Sequence, residues 1–581
     1  MENIKVSQLK PLYPAPLHPD FRELMDYCAL TYRNDDAYII KHSKGKKEEP
    51  EYEHITYVQL RRHLNAFGTG LLNRGIRGKR VAVIANNCYE WMLVYYAVPM
   101  GLGQAVPLDK GLPFEEALFS VRKSHSDVII FDPKHQELIE RLKEEETDLK
   151  EFYSTTELEG YESVWDIIRE GEQALQEGDT RYWELPFDPD DTALILFTSG
   201  TSGLAKAVML SQRNVLTNVY FMQRTQDIRH GDINMAFLPY HHTFGCDTQV
   251  MMYACGVTTV FCDGLRYIQK NMVEYHVTIF IGVPLLIESI YKRVMREVDK
   301  QGKRAKFDRG MKLARTLMKL HIDVRRRLFK EVIDQLGGAL RFVFSGASAL
   351  DPEVVKGFET MGISVVQGYG MTESSPVIAT ESAKERRPGS IGKALYGVDV
   401  ELLDPNEEGI GEIICHSPSV MKGYFEDPEE TAKTLIDGWL HTGDLARMDQ
   451  DGFLFITGRA KNVIVLKNGK NVYPEEMETL IANIPYVKEN IVISQEKRKN
   501  EANSELALCA KIVYDPKQMK EDYHAETQEE IEKVIWQDLE KINQELPKYK
   551  RITRLIAQDQ EMSKTTTGKV RRFEEGATRA F

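Results

Sequence analysis

The sequence predicts an α/β protein, with a large N-terminal domain of parallel and mixed sheets ahead of a small α+β domain. Three observations predict it. Short apolar runs recur at Val81–Ala85, Val128–Phe131, Leu194–Phe197, Val277–Ile281, Leu340–Phe344 and Ile363–Val366, and helical patterns such as Glu90–Ala97 and Asp351–Met361 separate many of them. Such alternation marks largely parallel sheets. Past residue 400 the strands shorten and turns crowd in, at Asp404-Pro405-Asn406, Glu408-Gly409, Asp437-Gly438 and Asp451-Gly452. After Gly458-Arg459-Ala460-Lys461 a smaller α+β pattern follows, its helix Gln528–Leu546 closed by Pro547. The cut is therefore placed to give domains of residues 1–458 and 459–581.

A chain of 581 residues is too long for one hydrophobic core. Its 42% hydrophobic and 28% charged residues are those of a globular protein. A net charge of −13 argues against general nucleic-acid binding, which needs a basic face. The start, MENIKVSQLKPLYP, lacks the apolar stretch of a signal peptide. The uncharged run Trp91–Leu108 contains Pro99, Gly101, Gly103 and Pro107, which predicts a core helix, a turn and a strand rather than a membrane span. Seven scattered cysteines without a C-x-x-C pair predict a reduced, cytoplasmic protein with no cysteine zinc site.

The elements carry six stretches with chemistry in them. In Leu194–Leu210 the strand Leu194–Phe197 breaks into Thr198-Ser199-Gly200-Thr201-Ser202-Gly203, followed by Lys206; a helix opens at Ser211. Glycines bring N–H groups close, hydroxyls donate and an ammonium adds charge, which makes a cradle for phosphate oxygens. The spacing is not that of the P-loop, and alone the stretch also reads as a solvated turn. In Leu238–Gly245 a pair, His241-His242, sits among aromatics and reads as core, surface or site. Ser345-Gly346-Ala347-Ser348 follows a strand, leaving room for a ligand or for close helix packing. Gln367-Gly368-Tyr369-Gly370-Met371-Thr372-Glu373-Ser374 follows another, as a loop at a strand's carboxyl end where open α/β sheets bind ligands. There Tyr369 offers a face for a base, Thr372 a hydroxyl and Glu373 a carboxylate for a hard cation. Asp444, in Gly438–Leu445, can take two ribose hydroxyls, and Arg459 can meet phosphate. Ser563–Arg572 sets Lys569 in a Thr-rich basic turn.

One further segment is electrostatic. Between Lys292 and Lys330 bases far outnumber acids, and Leu313, Leu317, Leu320, Val324 and Leu328 recur at helical spacing. The two readings are a core-packed helix with a solvated basic face, and a surface for anionic lipid or a polyphosphate.

Together and in this order, the six stretches resemble the adenylate-forming superfamily of acyl-CoA synthetases, firefly luciferase and peptide-synthetase adenylation domains, over about residues 20–575. The chain is most similar to bacterial long-chain fatty-acid–CoA ligases, through Leu336-Gly337-Gly338-Ala339-Leu340-Arg341 with the helical insert before it, and Val420-Met421-Lys422-Gly423-Tyr424. The resemblance implies an acetyl-CoA synthetase-like fold with a β-barrel-like subdomain and a mobile C-terminal domain. It implies ATP and Mg²⁺, coenzyme A as co-substrate and a small-molecule carboxylic acid, with long-chain fatty acids first and medium-chain or aryl acids as the alternative. A non-catalytic nucleotide-binding scaffold is the reading of a different class.

By position, the resemblance assigns Thr198, Ser199, Gly200, Thr201, Ser202 and Lys206 to the phosphates. It assigns Gly346, Ala347, Ser348, Gln367, Gly368, Tyr369, Gly370 and Met371 to the adenine pocket, Thr372 to the α-phosphate and Glu373 to Mg²⁺. Asp444 and Arg459 fall to the ribose and phosphate, Lys461 to a hinge, His242 to the acid's carboxylate and Lys569 to adenylation. Ser202, Ala205 and Ala207 replace Thr, Pro and Gly of the usual loop, Gln212 stands where His is common and Ser563 where Pro is usual; no required functional group is lost. The same reading admits a homodimer and a peripheral association with the anionic inner face of a membrane.

Overall fold

The computed structural model describes residues 3–42, 48–145, 147–198, 205–466, 470–495, 507–564, 570–572 and 574–576. Two compact units are present, one of Val6–Val400 with Cys415–Leu440, the other of Met1–Lys5, Glu401–Ile414 and His441–Phe581. The expected Ser199–Ser202 and Lys569 lie outside the described residues.

The larger unit is built on two sheets, and the α/β expectation holds. Among the described residues the first has the strand order Lys393–Ala394, Val377–Thr380, Ser364–Gly370, Phe342–Ser345, Ile279–Gly282, Ile233–Ala236, Thr258–Phe261, Asp36–His42, Glu51–Thr56. Its middle is parallel, and antiparallel strands close both edges. The second runs Gly423–Tyr424, Lys206–Ser211, Thr192–Thr198, Gly103–Pro107, Lys79–Ile84, Val128–Phe131, Glu151–Ser154, with a parallel centre. Parallel strands need crossovers, and helices between them supply these. Every residue of helix Tyr89–Ala97 is buried, so the uncharged run is a core helix leading into strand Gly103–Pro107, as expected. Among the described residues no helix is long and apolar enough to cross a membrane.

Two segments depart from the sequence reading. Lys206–Ser211, expected as a link into a helix, is a strand antiparallel to Thr192–Thr198. Its pattern, KAVMLS, is short and β-branch-poor, so pairing with its neighbour decides the conformation more than propensity does. Gln367–Gly370, expected as loop, continues strand Ser364–Gly370 because the chain folds back on it through Val377–Thr380. The basic segment also differs. It is split into helices Pro284–Lys300, Arg304–Lys319 and Arg325–Leu328. The buried face of the middle helix is Phe307, Met311 and Ala314, while Leu313 is 48% exposed, Leu320 63% and Leu328 40%. The apolar spacing is genuine, but it points largely to solvent.

Local signals fix the helices that frame the sheets. Thr56 and Gln59 form a capping box at helix Tyr57–Asn73, and Ser163 and Asp166 do so at Val164–Gln176. These two helices pack so closely that a Cβ at Gly171 would overlap the Ala66 carbonyl. In the smaller unit, strand Ala507–Tyr514 lies antiparallel to Val487–Gln495 and parallel to Ile552–Gln558. Helices Pro474–Ala482 and Gln528–Glu545 bury Met477, Ile481, Ile531, Ile535 and Leu539 in the same core.

Gly171→Ala should push the two capped helices apart and cost about 1–3 kcal/mol of stability. Thermal unfolding should show it as a melting temperature lowered by several degrees; an unchanged melting curve would count against the close contact.

Candidate active site

The site of the larger unit grows from the carboxyl ends of adjacent parallel strands. Gly282, Ser345 and Gln367 stand side by side in register. The chain leaves the second strand through Gly346-Ala347-Ser348, with Ala347 and Ser348 exposed and Ala347 at φ 75°, in the left-handed region a non-glycine residue rarely adopts. A Cβ on Gly346 would sit 2.9 Å from the Phe244 ring, which ties this loop to the start of helix Thr243–Ala254. Gln367 is pinned three ways. Its side-chain oxygen accepts from Leu350 N at 3.0 Å, its N–H donates to Glu381 at 3.1 Å, and its carbonyl accepts from Thr380 Oγ1 at 2.9 Å. Burial pushes the Glu381 carboxyl up to about 7.

Tyr369 then lies half-buried opposite Ala379, between two glycines that have no room for a side chain. A Cβ at Gly368 would reach within 2.6 Å of Phe344, and one at Gly370 would overlap the Pro376 carbonyl. Met371 and Thr372 remain partly exposed, and Thr372–Ser374 forms a single 3-10 turn that carries Glu373 inward.

Glu373 is 6% exposed. Its Oε1 accepts from the Tyr424 hydroxyl at 2.9 Å, and its carbonyl accepts from Met421 N at 2.8 Å. Burial first, and then the Glu373 charge, push the Tyr424 phenol well up, so it stays a donor. Lys206 Nζ lies 4.9 Å from the centre of the Tyr424 ring and pairs with Glu430. Thr198 and Lys206 are cross-strand partners at the mouth of the hairpin. Helix Gln212–Thr225 holds this assembly from below. Asn214 donates to the carbonyls of Pro418 and Val420, and Asn218 to those of Ser374 and Val377.

The fold thus gathers the hairpin stem of Thr198 and Lys206, the turn of Thr372 and Glu373, and Tyr424. Tyr424 and Glu430 were not assigned roles by motif. Only the run Val420–Tyr424 carried a signal for the first, and the second sits on an ordinary capped helix, Pro428–Thr434. Among the described residues no three His, Cys, Asp or Glu side chains form a metal cage. One buried carboxylate still suits Mg²⁺, which takes one or two carboxylates and completes its shell with water and substrate phosphates.

His242 caps helix Thr243–Ala254, half-buried, its ring centroid 4.1 Å from that of His241. His241 Nε2 approaches Asp109 at 3.4 Å. Burial, reinforced by His242, holds the His241 imidazole neutral far below the usual histidine range.

In the smaller unit Asp444 and Arg459 are cross-strand partners, with Arg459 Nε 2.7 Å from Asp444 Oδ1. Asp444 is 7% exposed, and its N–H donates to Thr442 Oγ1 at 3.1 Å. Lys461 follows in the 3-10 turn Ala460–Asn462.

The family model described as AMP-binding enzyme matches residues 28–425, and that described as AMP-binding enzyme C-terminal domain matches residues 461–576. The chain is 26% identical to the chloroplastic long-chain-fatty-acid–[acyl-carrier-protein] ligase AEE15 of Arabidopsis thaliana, covering 84% of this chain and 76% of that protein. It is 28% identical to the peroxisomal long chain acyl-CoA synthetase 7 of the same plant, covering 87% and 75%. Among solved structures, an anthranilate CoA ligase in complex with anthranoyl-AMP superposes with a TM-score of 0.74 at 21% identity, over 96% of this chain and 97% of that one. A Mycobacterium tuberculosis fatty acyl CoA synthetase gives 0.64 at 22%, over 96% and 97%. These two are likenesses of fold.

His241 supplies a pH test. The folded state keeps it neutral, whereas the unfolded chain takes up a proton near pH 6.5, so stability should fall as pH drops below that value. In denaturant unfolding, the advantage of wild type over His241→Gln should shrink from pH 7 to pH 5, by at most about 1.4 kcal/mol per pH unit. A constant difference would show that His241 titrates normally.

Proposed function

The chain belongs to the AMP-binding enzyme family, the adenylate-forming acyl-CoA synthetases, and we propose that it is an ATP-dependent ligase that joins a long-chain fatty acid to coenzyme A. The observation that carries this reading is the gathering of Lys206, Tyr424 and Glu373 beside the small-residue loops at the ends of the parallel strands.

A carboxylate is a poor electrophile, because oxide is a prohibitive leaving group. In the first half-reaction a carboxylate oxygen forms a bond to the α-phosphorus of ATP, and the bond to pyrophosphate breaks. In the second, the thiol sulfur attacks the acyl carbon, AMP departs with the carboxylate oxygen, and the thiol proton is released. Anion attacks anion in the first step, so positioning and positive charge carry most of the catalysis. Thr198–Ser202 and Lys206 bind the phosphates, and Tyr369 lies against adenine within Gly346–Ser348 and Gln367–Met371. Thr372 contacts the α-phosphate, and His242 orients the acid's carboxylate. Glu373 would hold Mg²⁺, which when bound neutralises charge on the phosphates. Asp444 takes the ribose hydroxyls, Arg459 the ribose or a phosphate, and Lys569 brings its ammonium to the α-phosphate. Residues 459–581 would act as a mobile domain hinged at Lys461, presenting Lys569 for the first step and withdrawing it for the second. A medium-chain or aryl acid would use the same machinery, and the relative that acts on an acyl carrier protein makes a carrier thiol the natural competitor of coenzyme A.

The experiment is exchange of labelled pyrophosphate into ATP with a panel of acids, followed by thioester formation with coenzyme A or a carrier thiol. Long-chain acids should support exchange, and Lys569→Ala should slow it by roughly 100-fold or more. No exchange with any acid would leave the scaffold reading.

We further propose that the enzyme, as monomer or homodimer, meets anionic membrane through the basic segment. Exposed Leu313, Leu320 and Leu328 stand among exposed Lys312, Arg315, Lys319 and Arg327, the combination that an anionic bilayer attracts. Vesicle binding should rise with anionic lipid, fall with salt and weaken in Leu320→Asp; indifference to lipid charge and salt would exclude it.

A further inference from the structure

Lys206, at the mouth of the hairpin stem, is an ammonium that the ligase reading gives to phosphate, yet a carboxylate already matches it. Its Nζ pairs with Glu430 and lies 4.9 Å from the centre of the Tyr424 ring. The two side chains of the pair are only 24% and 30% exposed. Charges covered to that degree are screened less than a pair on the open surface.

The backbone sets where Glu430 stands. Asp427 caps helix Pro428–Thr434, its side chain accepting from Glu430 N at 3.1 Å. The hydroxyl of the next residue, Thr431, accepts from Tyr424 N at 2.9 Å and donates to the Asp427 carbonyl at 2.8 Å. Strand Gly423–Tyr424 pairs with Lys206–Ser211, and Phe425 N donates to the Ala207 carbonyl at 2.7 Å. The helix that carries Glu430 is thus fastened to the strand that carries Lys206. Beyond the Tyr424 ring, its hydroxyl donates to Glu373 at 2.9 Å. A carboxylate therefore stands at each end of one row, Glu430 against the ammonium and Glu373 against the phenol. The ligase reading gives Glu373 a use, as the holder of Mg²⁺, and gives Glu430 none.

We infer that Glu430 is a positioning residue that competes with phosphate oxygens for the Lys206 ammonium and so limits the affinity for pyrophosphate. The inference rests on the ligase reading and adds to it how the product leaves. A polyphosphate drawn to Lys206 must take the ammonium from Glu430, and it meets the negative charge of that carboxylate as it does so. When pyrophosphate departs, renewed pairing of Lys206 with Glu430 offsets part of the attraction that would keep it bound. Binding energy spent equally on every bound state does not speed turnover, so a cation that holds its product less tightly serves the second half-reaction. The pair also narrows the positions open to a lysine on a flexible four-carbon stem.

The test uses full-length enzyme and calorimetric binding of pyrophosphate in the presence of Mg²⁺. Glu430→Gln keeps the shape of the side chain and removes its charge, and it should tighten pyrophosphate about 3- to 5-fold, the worth of a modest ion pair. Glu429→Gln removes the same charge from the exposed neighbour in the same helical turn, and it should leave the affinity nearly unchanged. Glu430→Ala reads the same effect if thermal melting shows the glutamine variant unfolded. Exchange of pyrophosphate into ATP that proceeds normally, with an affinity unchanged or weakened in Glu430→Gln, overturns the inference alone. An equal gain from Glu429→Gln also overturns it, because a general change of field would then explain both. Pyrophosphate that binds neither wild type nor any variant, with no exchange for any acid, overturns the ligase reading and the inference with it.

Discussion

A carboxylate taken out of water must be hydrogen-bonded, and much of the larger unit is arranged around meeting that demand at Glu373. Leaving such a charge buried and unpaired would cost several kcal/mol, roughly the whole stability margin of a modest domain. The Tyr424 hydroxyl meets it from a short strand that pairs with Lys206–Ser211. Tyr424 in turn lies near the Lys206 ammonium. Three segments far apart in the chain, at residues 206, 373 and 424, are thereby held in one place. The asparagines of helix Gln212–Thr225 fasten the same three from within the core. Charge, hydroxyl and ring are thus held together by the fold of the larger unit.

The parallel strands are legible in the sequence because buried strands are short apolar runs with helices between them, and their carboxyl ends are where loops gather. The stretches at residues 194–210, 345–349 and 367–374 each read alone as turn or packing as well as site, and it was their order along the chain, resembling the adenylate-forming superfamily, that picked them out. Asp444 and Arg459 could be named singly, but their pairing across two strands depends on a register that spacing does not encode. Lys206–Ser211 escaped recognition as a strand because its conformation comes from pairing with Thr192–Thr198. Gln367–Gly370 was misread for a related reason: glycines suggest a loop, whereas here they let a returning strand lie against the chain.

The basic segment shows a different limit. Helical periodicity says that apolar residues share a face, not what covers that face. Met311 and Ala314 turn to the core while Leu313 and Leu320 do not, and only the packing of Arg304–Lys319 against its neighbours separates them. Glu430 was equally invisible, because a carboxylate in the first turn of a capped helix has a complete local explanation without Lys206.

The antiparallel stem that pairs Thr198 with Lys206 has a consequence for engineering and descent. Strand pairing, not the length of the intervening loop, decides which way the lysine faces. The ammonium keeps its side of the sheet as long as that pairing holds. A one-residue slip within the stem would instead turn it to the opposite face. The stem should therefore admit changes of side chain but not of count.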